Sequence, residues 1–117
     1  MEQNIKDKIG DVVVADEVLL TIAGLAATEV KGVYSLGRTI IHDAIPKTGL
    51  KSLSKCVKIV PEKEPNSVSI KLAISVDGTV PLPKISDAVK EHVTSAIEAM
   101  TGMIVASVNI QIVEVLA

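Results

Sequence analysis

The fold is decided by the segment SVSIKLAISVD, which runs from Ser67 to Asp77. Valine, isoleucine and leucine occupy every second position, and serine, lysine, alanine and aspartate occupy the others. Successive side chains of a β-strand point to opposite faces of the sheet. The period of two therefore predicts a strand with one buried and one polar face.

One further strand is predicted on each side of this segment. Upstream, Cys56-Val57-Lys58-Ile59-Val60 is a β-branched run, and the polar, proline-containing connection Pro61 to Asn66 predicts a hairpin. Downstream, apolar residues alternate from Val108 to Ile112 and then change phase at Val113. A change of phase indicates a bulge or a strand end near that point.

The segment between the last two strands predicts an amphipathic helix. Pro83 suits its first turn, and Gly102 suits a left-handed end. Seven apolar residues share one face at helical spacing. They are Leu82, Ile85, Val89, Val93, Ala96, Ile97 and Met100.

An earlier helix is predicted from Asp16, a suitable N-cap, to Gly32. Its back is also apolar, because Leu20, Gly24 and Ala27 share a face opposite the main core stripe. A helix that is apolar most of the way round is buried on more than one side. Either the loop that follows covers this face, or the face is a candidate self-association surface.

These elements predict one α+β domain over residues 1–117, with two layers in the order β-α-β-β-α-β. A small mixed sheet would carry both helices on one face. The first strand of this order rests on the short run Val12-Val13-Val14. A ferredoxin-like strand order is the alternative.

The segment between Leu36 and Pro61 is long and basic. It holds five basic residues and one acidic residue, whereas the rest of the chain holds seven basic and thirteen acidic residues. The basic side chains form a candidate anion-binding loop for phosphate, nucleic acid or an anionic membrane surface; a solvated loop is the alternative. They are Arg38, Lys47, Lys51, Lys55 and Lys58.

No residue pattern predicts catalysis, a metal site or a cofactor. His42 and His92 lack ligand-type neighbours at helical spacing and are expected to be surface or partly buried side chains. Cys56 opens a strand, where cysteine packs as a small hydrophobe. Glu29 lies in line with the core stripe and is expected to reach the rim or a lysine, with a functional carboxylate as the alternative.

Several features of the sequence indicate the cellular compartment of the protein. No apolar run approaches the ~20 residues that cross a bilayer, and the N-terminus lacks the apolar region of a signal peptide. A single cysteine cannot form an internal disulfide. We therefore expect a cytoplasmic protein.

Several segments together resemble the alkaline shock protein family, the general stress proteins of Gram-positive bacteria. They include Glu29-Val30-Lys31-Gly32-Val33, Ser54 to Ile59, Met100-Thr101-Gly102 and Val108-Asn109-Ile110, and they follow an opening strand and helix from Gly10. The resemblance implies a cytoplasmic, non-enzymatic protein that supports envelope homeostasis and stress tolerance. It also implies self-association and, in some members, a separate membrane-anchor protein.

The leading functional hypothesis is therefore a scaffold or interaction protein at the cytoplasmic side of the envelope, with no small-molecule substrate evident. The alternative is a small nucleic-acid-binding module that uses the basic loop. That alternative is disfavoured because base stacking needs aromatic side chains, and Tyr34 is the only aromatic residue.

Overall fold

The computed structural model describes residues 16–116. In chain order they form α1 (Asp16–Thr28), β1 (Val33–Leu36), a 3₁₀ helix (His42–Lys47), α2 (Leu50–Leu53), β2 (Val57–Pro61), β3 (Ser67–Asp77), α3 (Leu82–Thr101) and β4 (Ile104–Leu116). No helix in this range is both long and apolar enough to cross a membrane.

The alternating segment, β3, is the centre of a four-stranded mixed sheet. β4 runs parallel to it along its whole length, from the Ser67–Ile104 pair to the Asp77–Leu116 pair. β1 and β2 are both antiparallel to β3, and they share its other edge. β2 pairs with the first half of β3 and β1 with the second half, so the basic loop leaves and rejoins one continuous sheet edge.

One face of the sheet carries both long helices, and the core lies between these two layers. The valine, isoleucine and leucine residues of β3 are at most 4 % exposed, as the alternation predicts. α3 buries Ile85, Val89, Val93 and Ile97 against them, and α1 adds Leu19, Ala23 and Ala26. The predicted α+β fold, with a small mixed sheet and the helices on one face, is confirmed.

α3 begins and ends close to its predicted limits. Pro83 lies in its first turn, and Gly102 ends it with a φ of 75°, a conformation that glycine adopts without strain. Two of the predicted core residues, however, lie at the helix ends and remain accessible: Met100 is 70 % exposed and Leu82 is 39 % exposed.

The back of α1 corrects one sequence prediction. Leu20, Gly24 and Ala27 are buried by the chain's own loop, so they are not a self-association surface of the folded domain. A Cβ placed on Gly24 would lie 3.2 Å from Leu36 Cδ2 and 3.5 Å from Ile45 Cδ1. The loop covers the helix because Ile45, in the 3₁₀ helix, supplies an apolar side chain that needs burial.

The observed strands agree with the predicted order in some details and differ from it in others. The run Val12-Val13-Val14 lies outside the described residues, and β1 was not predicted. The predicted change of phase is confirmed, since the β3–β4 register skips Val113; a second irregularity skips Ala106. The ferredoxin-like alternative is wrong, because it separates the two strands that are hydrogen-bonded here as β3 and β4.

Candidate functional site

The structure divides the five basic residues predicted to form one anion-binding loop. Lys47 ends the 3₁₀ helix and Lys51 lies in α2, and both of these elements pack on α1. The Arg38 guanidinium approaches the Glu114 carboxylate at 3.9 Å. Lys55 and Lys58 line one cavity, which opens on the sheet face that carries no helix. The five residues therefore do not form one surface.

This cavity is a shallow trough of about 230 Å³. Its walls bring together three lysines, Lys55, Lys58 and Lys71, with the amide side chains Asn109 and Gln111. Ala73 and the half-buried Cys56 also line it. Leu72 and Ile110 complete the lining, and we call these nine residues the lysine trough.

The strand register explains why these side chains meet. Lys71 is the Cα partner of Lys58 on β2 and of Asn109 on β4, which forms one row across three strands. The next row contains Ala73, which pairs with Gln111 and whose backbone N–H donates to Cys56 O at 2.9 Å. Residues two apart on a strand share a face, so both rows point to the open side. The short Ala73 side chain leaves the centre of the trough low.

The trough is cationic, and the described residues 16–116 do not balance its charges locally. No carboxylate within residues 16–116 lies in ion-pair range of Lys55, Lys58 or Lys71. Like charges directly opposite each other on neighbouring strands are destabilising, and Lys58 and Lys71 are such a pair. The only hydrogen bond of the three ammonium groups within that range is a long one, from Lys58 Nζ to Ser54 O at 3.5 Å. The trough therefore presents donors and positive charge to solvent.

A pair of serines fixes the rim of the sheet beside the trough. Ser75 Oγ donates to Gly37 O at 2.6 Å, and Ser35 Oγ donates to the same carbonyl at 3.2 Å. Gly37 has a φ of 61°, and a Cβ on it would lie 2.6 Å from Cys56 Sγ. The loop therefore leaves β1 in one defined direction, with Cys56 packed under the turn.

Cys56 acts as a packing residue, as the sequence predicts. Burial raises the pKa of the Cys56 thiol, and the nearby Lys55 charge offsets part of that rise. A thiol whose pKa is raised forms little of the reactive thiolate. Its place in the lysine trough is therefore structural.

Each of the two histidines makes a side-chain hydrogen bond. His42 Nδ1 lies 2.8 Å from Thr28 Oγ1, and His92 Nε2 lies 2.7 Å from Glu29 Oε1. Glu29 was predicted to reach the rim or a lysine; its side chain does reach the rim, where it is 53% exposed, and its partner there is a histidine. No cluster of three metal-ligating side chains occurs in the part of the chain that the structure describes.

A second candidate surface is the outer edge of β4. Among residues 16–116, this strand pairs only with β3, so one edge of a 13-residue strand is unpaired. Ile104 and Val115, near its two ends, are 55 % and 51 % exposed. The Glu98 carboxylate accepts a hydrogen bond from Val105 N at 3.0 Å and blocks only the start of that edge.

Lys71, Asn109 and Gln111 were not predicted as site residues from the sequence. Lys71 was visible as a charge on the polar face of β3, but its neighbours depend on the register of three strands. Asn109 and Gln111 lie 38 residues from Lys71 and Ala73, their partners in the sheet. No pattern of neighbouring residues in the sequence could have predicted that these side chains meet.

The chain was then compared with known proteins. The profile of the alkaline shock protein 23 family, described by a cell envelope-related function, matches residues 4–117. Uncharacterized protein Spy1535 of Streptococcus pyogenes serotype M6 is 32% identical over 109 residues, which cover 93% of this chain and 81% of that protein. Uncharacterized protein YqhY of Bacillus subtilis is 30% identical over 105 residues, or 90% and 76% of the two chains. No solved structure matches at comparable significance.

Proposed function

Since the chain belongs to the alkaline shock protein 23 family, whose function is related to the cell envelope, we propose that it is a non-enzymatic scaffold that assembles with further copies of itself through the edge of β4. The finding that carries this proposal is the outer edge of a 13-residue strand, which has no partner strand among residues 16–116. An exposed strand edge is a template for another strand, and natural proteins block such edges with lysine, proline or strong bulges. β4 contains neither lysine nor proline, and its two bulges, at Ala106 and Val113, leave a regular edge between them.

The composition of β4 favours a second copy as the occupant of the edge. Between its two irregularities, at Ala106 and Val113, lies the uncharged segment Ser107 to Ile112. Short uncharged segments of high β-propensity pair readily with identical segments. Glu114 is the only charged residue in the strand, so little charge repulsion opposes such pairing.

The strand is also close to self-complementary under two-fold symmetry. If two β4 strands pair antiparallel about the midpoint between Asn109 and Ile110, the bulge at Ala106 of one copy faces the bulge at Val113 of the other. Ile104 then faces the second copy's Val115, and Glu114 faces Val105 instead of another glutamate. A closed two-fold interface of this kind uses the same patch on both subunits.

Sedimentation velocity over a range of protein concentrations tests the assembly. We expect the wild-type protein to associate, and the double variant Ile104→Lys with Val115→Lys to remain a folded monomer. Val18→Lys is the matched control, because it also places lysine at an exposed apolar position, 44 % accessible, but on α1. A wild-type protein that stays monomeric at every concentration, or an edge variant that assembles normally, contradicts the proposal.

The cellular part of the proposal places the assembly at the cytoplasmic side of the membrane, held there by a separate anchor protein. The family's relation to the cell envelope supports this placement. Fractionation of cells, followed by affinity capture from the membrane fraction, tests it. Recovery of the protein from the cytosolic fraction alone, with no membrane protein bound, argues against an anchor.

A further inference from the structure

We propose that the lysine trough is a binding site for a phosphoryl group carried by a small molecule or a lipid headgroup. The proposal rests on the open sheet face and is independent of assembly through β4. Its evidence is the meeting of three cations and two amides in one concave site.

The charge of the site indicates the class of ligand. Lys58 and Lys71 are direct neighbours across β2 and β3, and Lys55 stands at the same trough. Their mutual repulsion is relieved when an anion lies between them. A phosphoryl group has up to two negative charges and several acceptor oxygens, so it can meet more than one ammonium group at once.

The amides add hydrogen-bond recognition to the charge. Asn109 and Gln111 each offer an NH₂ group with two donors, and they belong to the two rows that also hold Lys71 and Ala73. The site therefore supplies directed donors on the β4 side and positive charge on the β2 side. Directed hydrogen-bond donors beside the positive charges favour one bound oxyanion over loosely held counterions.

The size and lining of the trough indicate a small group. Its volume of about 230 Å³ lies below the ~300–1,000 Å³ of pockets that hold drug-sized ligands. That space suits a phosphate or diphosphate. No aromatic side chain lines the trough, so it offers no stacking platform for the bases of a single-stranded nucleic acid.

Calorimetry with pyrophosphate in 0.15 M NaCl tests the site on the intact chain. We expect saturable binding, and at least tenfold weaker binding by the double variant Lys58→Gln with Lys71→Gln. The matched control is Lys47→Gln with Lys51→Gln, which removes two charges of the same basic segment outside the trough; its affinity should stay within twofold of wild type. Equal weakening of both variants, or no saturable binding, overturns the proposal.

A second variant keeps the test independent of the lysines. Asn109→Ala with Gln111→Ala changes exposed side chains and no charge, and we expect it to weaken pyrophosphate binding at least threefold. In the wild-type protein, pyrophosphate should shift the NMR signals of the Asn109 and Gln111 side-chain NH₂ groups. Unchanged NH₂ signals during a saturable titration overturn the location of the site.

Vesicles distinguish a lipid headgroup from a free phosphorylated molecule. Phosphatidylcholine vesicles with and without phosphatidylglycerol are incubated with the same variants. A headgroup is the source if the wild-type protein is retained on the anionic vesicles, the Lys58→Gln, Lys71→Gln variant is not, and pyrophosphate displaces the wild-type protein. If pyrophosphate binds and vesicles do not, a free molecule is the ligand. The proposal is overturned if the Lys58→Gln, Lys71→Gln variant is still retained on the anionic vesicles and the wild-type protein does not bind pyrophosphate.

Discussion

Glu29 Oε1 lies 2.7 Å from His92 Nε2 and joins the residue that follows α1 to the middle of α3. An ionised carboxylate only accepts hydrogen bonds, so the imidazole donates from Nε2. The two residues are 63 positions apart in the chain. This contact ties together the two helices that cover the sheet.

The first prediction concerns the strength of that contact. The side chains of His92 and Glu29 are 46% and 53% exposed, and exposed ion pairs contribute about 0.2–1 kcal/mol. A double-mutant cycle with Glu29→Gln and His92→Gln, measured by urea unfolding, should give a coupling energy in that range. A coupling energy above about 2 kcal/mol would show that solvent does not screen the pair.

The second prediction compares the two faces of β3. Leu72 is 2% exposed and lies in the core, so Leu72→Ala should lower the free energy of unfolding by about 2–5 kcal/mol. Lys71 is exposed on the opposite face, so Lys71→Ala should change it by no more than about 0.5 kcal/mol. Chemical denaturation measures both, and similar losses for the two variants would contradict the register.

The third prediction tests the loop that covers α1. Leu20 is 5% exposed, so Leu20→Glu places a carboxylate in the core and should unfold the domain. Val18→Glu, at a position 44% exposed on the same helix, should leave the circular dichroism spectrum and the melting temperature nearly unchanged. A folded Leu20→Glu monomer would mean that the loop does not cover this face.

Gly24 gives a finer test of the same packing. Alanine is favoured over glycine in a helix by about 1 kcal/mol, but its Cβ would lie 3.2 Å from Leu36 Cδ2, a side chain that is fully buried. Overpacking of a core typically costs about 1–3 kcal/mol, so Gly24→Ala should lower the free energy of unfolding. Stabilisation on thermal unfolding would show that Leu36 moves aside freely.

The fourth prediction concerns how the alkylation of the Cys56 thiol depends on pH. Because burial raises the pKa of this thiol, its alkylation by iodoacetamide should have a midpoint above that of the urea-unfolded chain. Since Lys55 offsets part of the rise, Lys55→Gln should move the midpoint higher still. The folded state holds this proton more tightly, so the associated stability is present below the unfolded pKa and is lost as pH rises through the folded pKa. A midpoint below that of the unfolded chain contradicts the burial.

Much of the fold was predictable because its signals are local. The period of two in Ser67–Asp77, the Pro83 and Gly102 limits of α3, and the change of phase at Val113 each depend on neighbouring residues, and the structure confirms them. β1 was not predicted, because four residues are too few for a periodic pattern and their pairing with β3 lies about 40 positions away.

The sequence by itself determined the polar and apolar faces of β3, and therefore which side of the sheet would carry the helices. Only the tertiary structure decided what meets across the strands. Lys58, Lys71 and Asn109 form one row because a hairpin sets one partner of β3 and a helical crossover sets the other. Likewise, Gly24 is covered because the distant Leu36 and Ile45 pack on it. Periodicity fixes the direction of a side chain, whereas its neighbours depend on long-range register and packing, which no local pattern encodes.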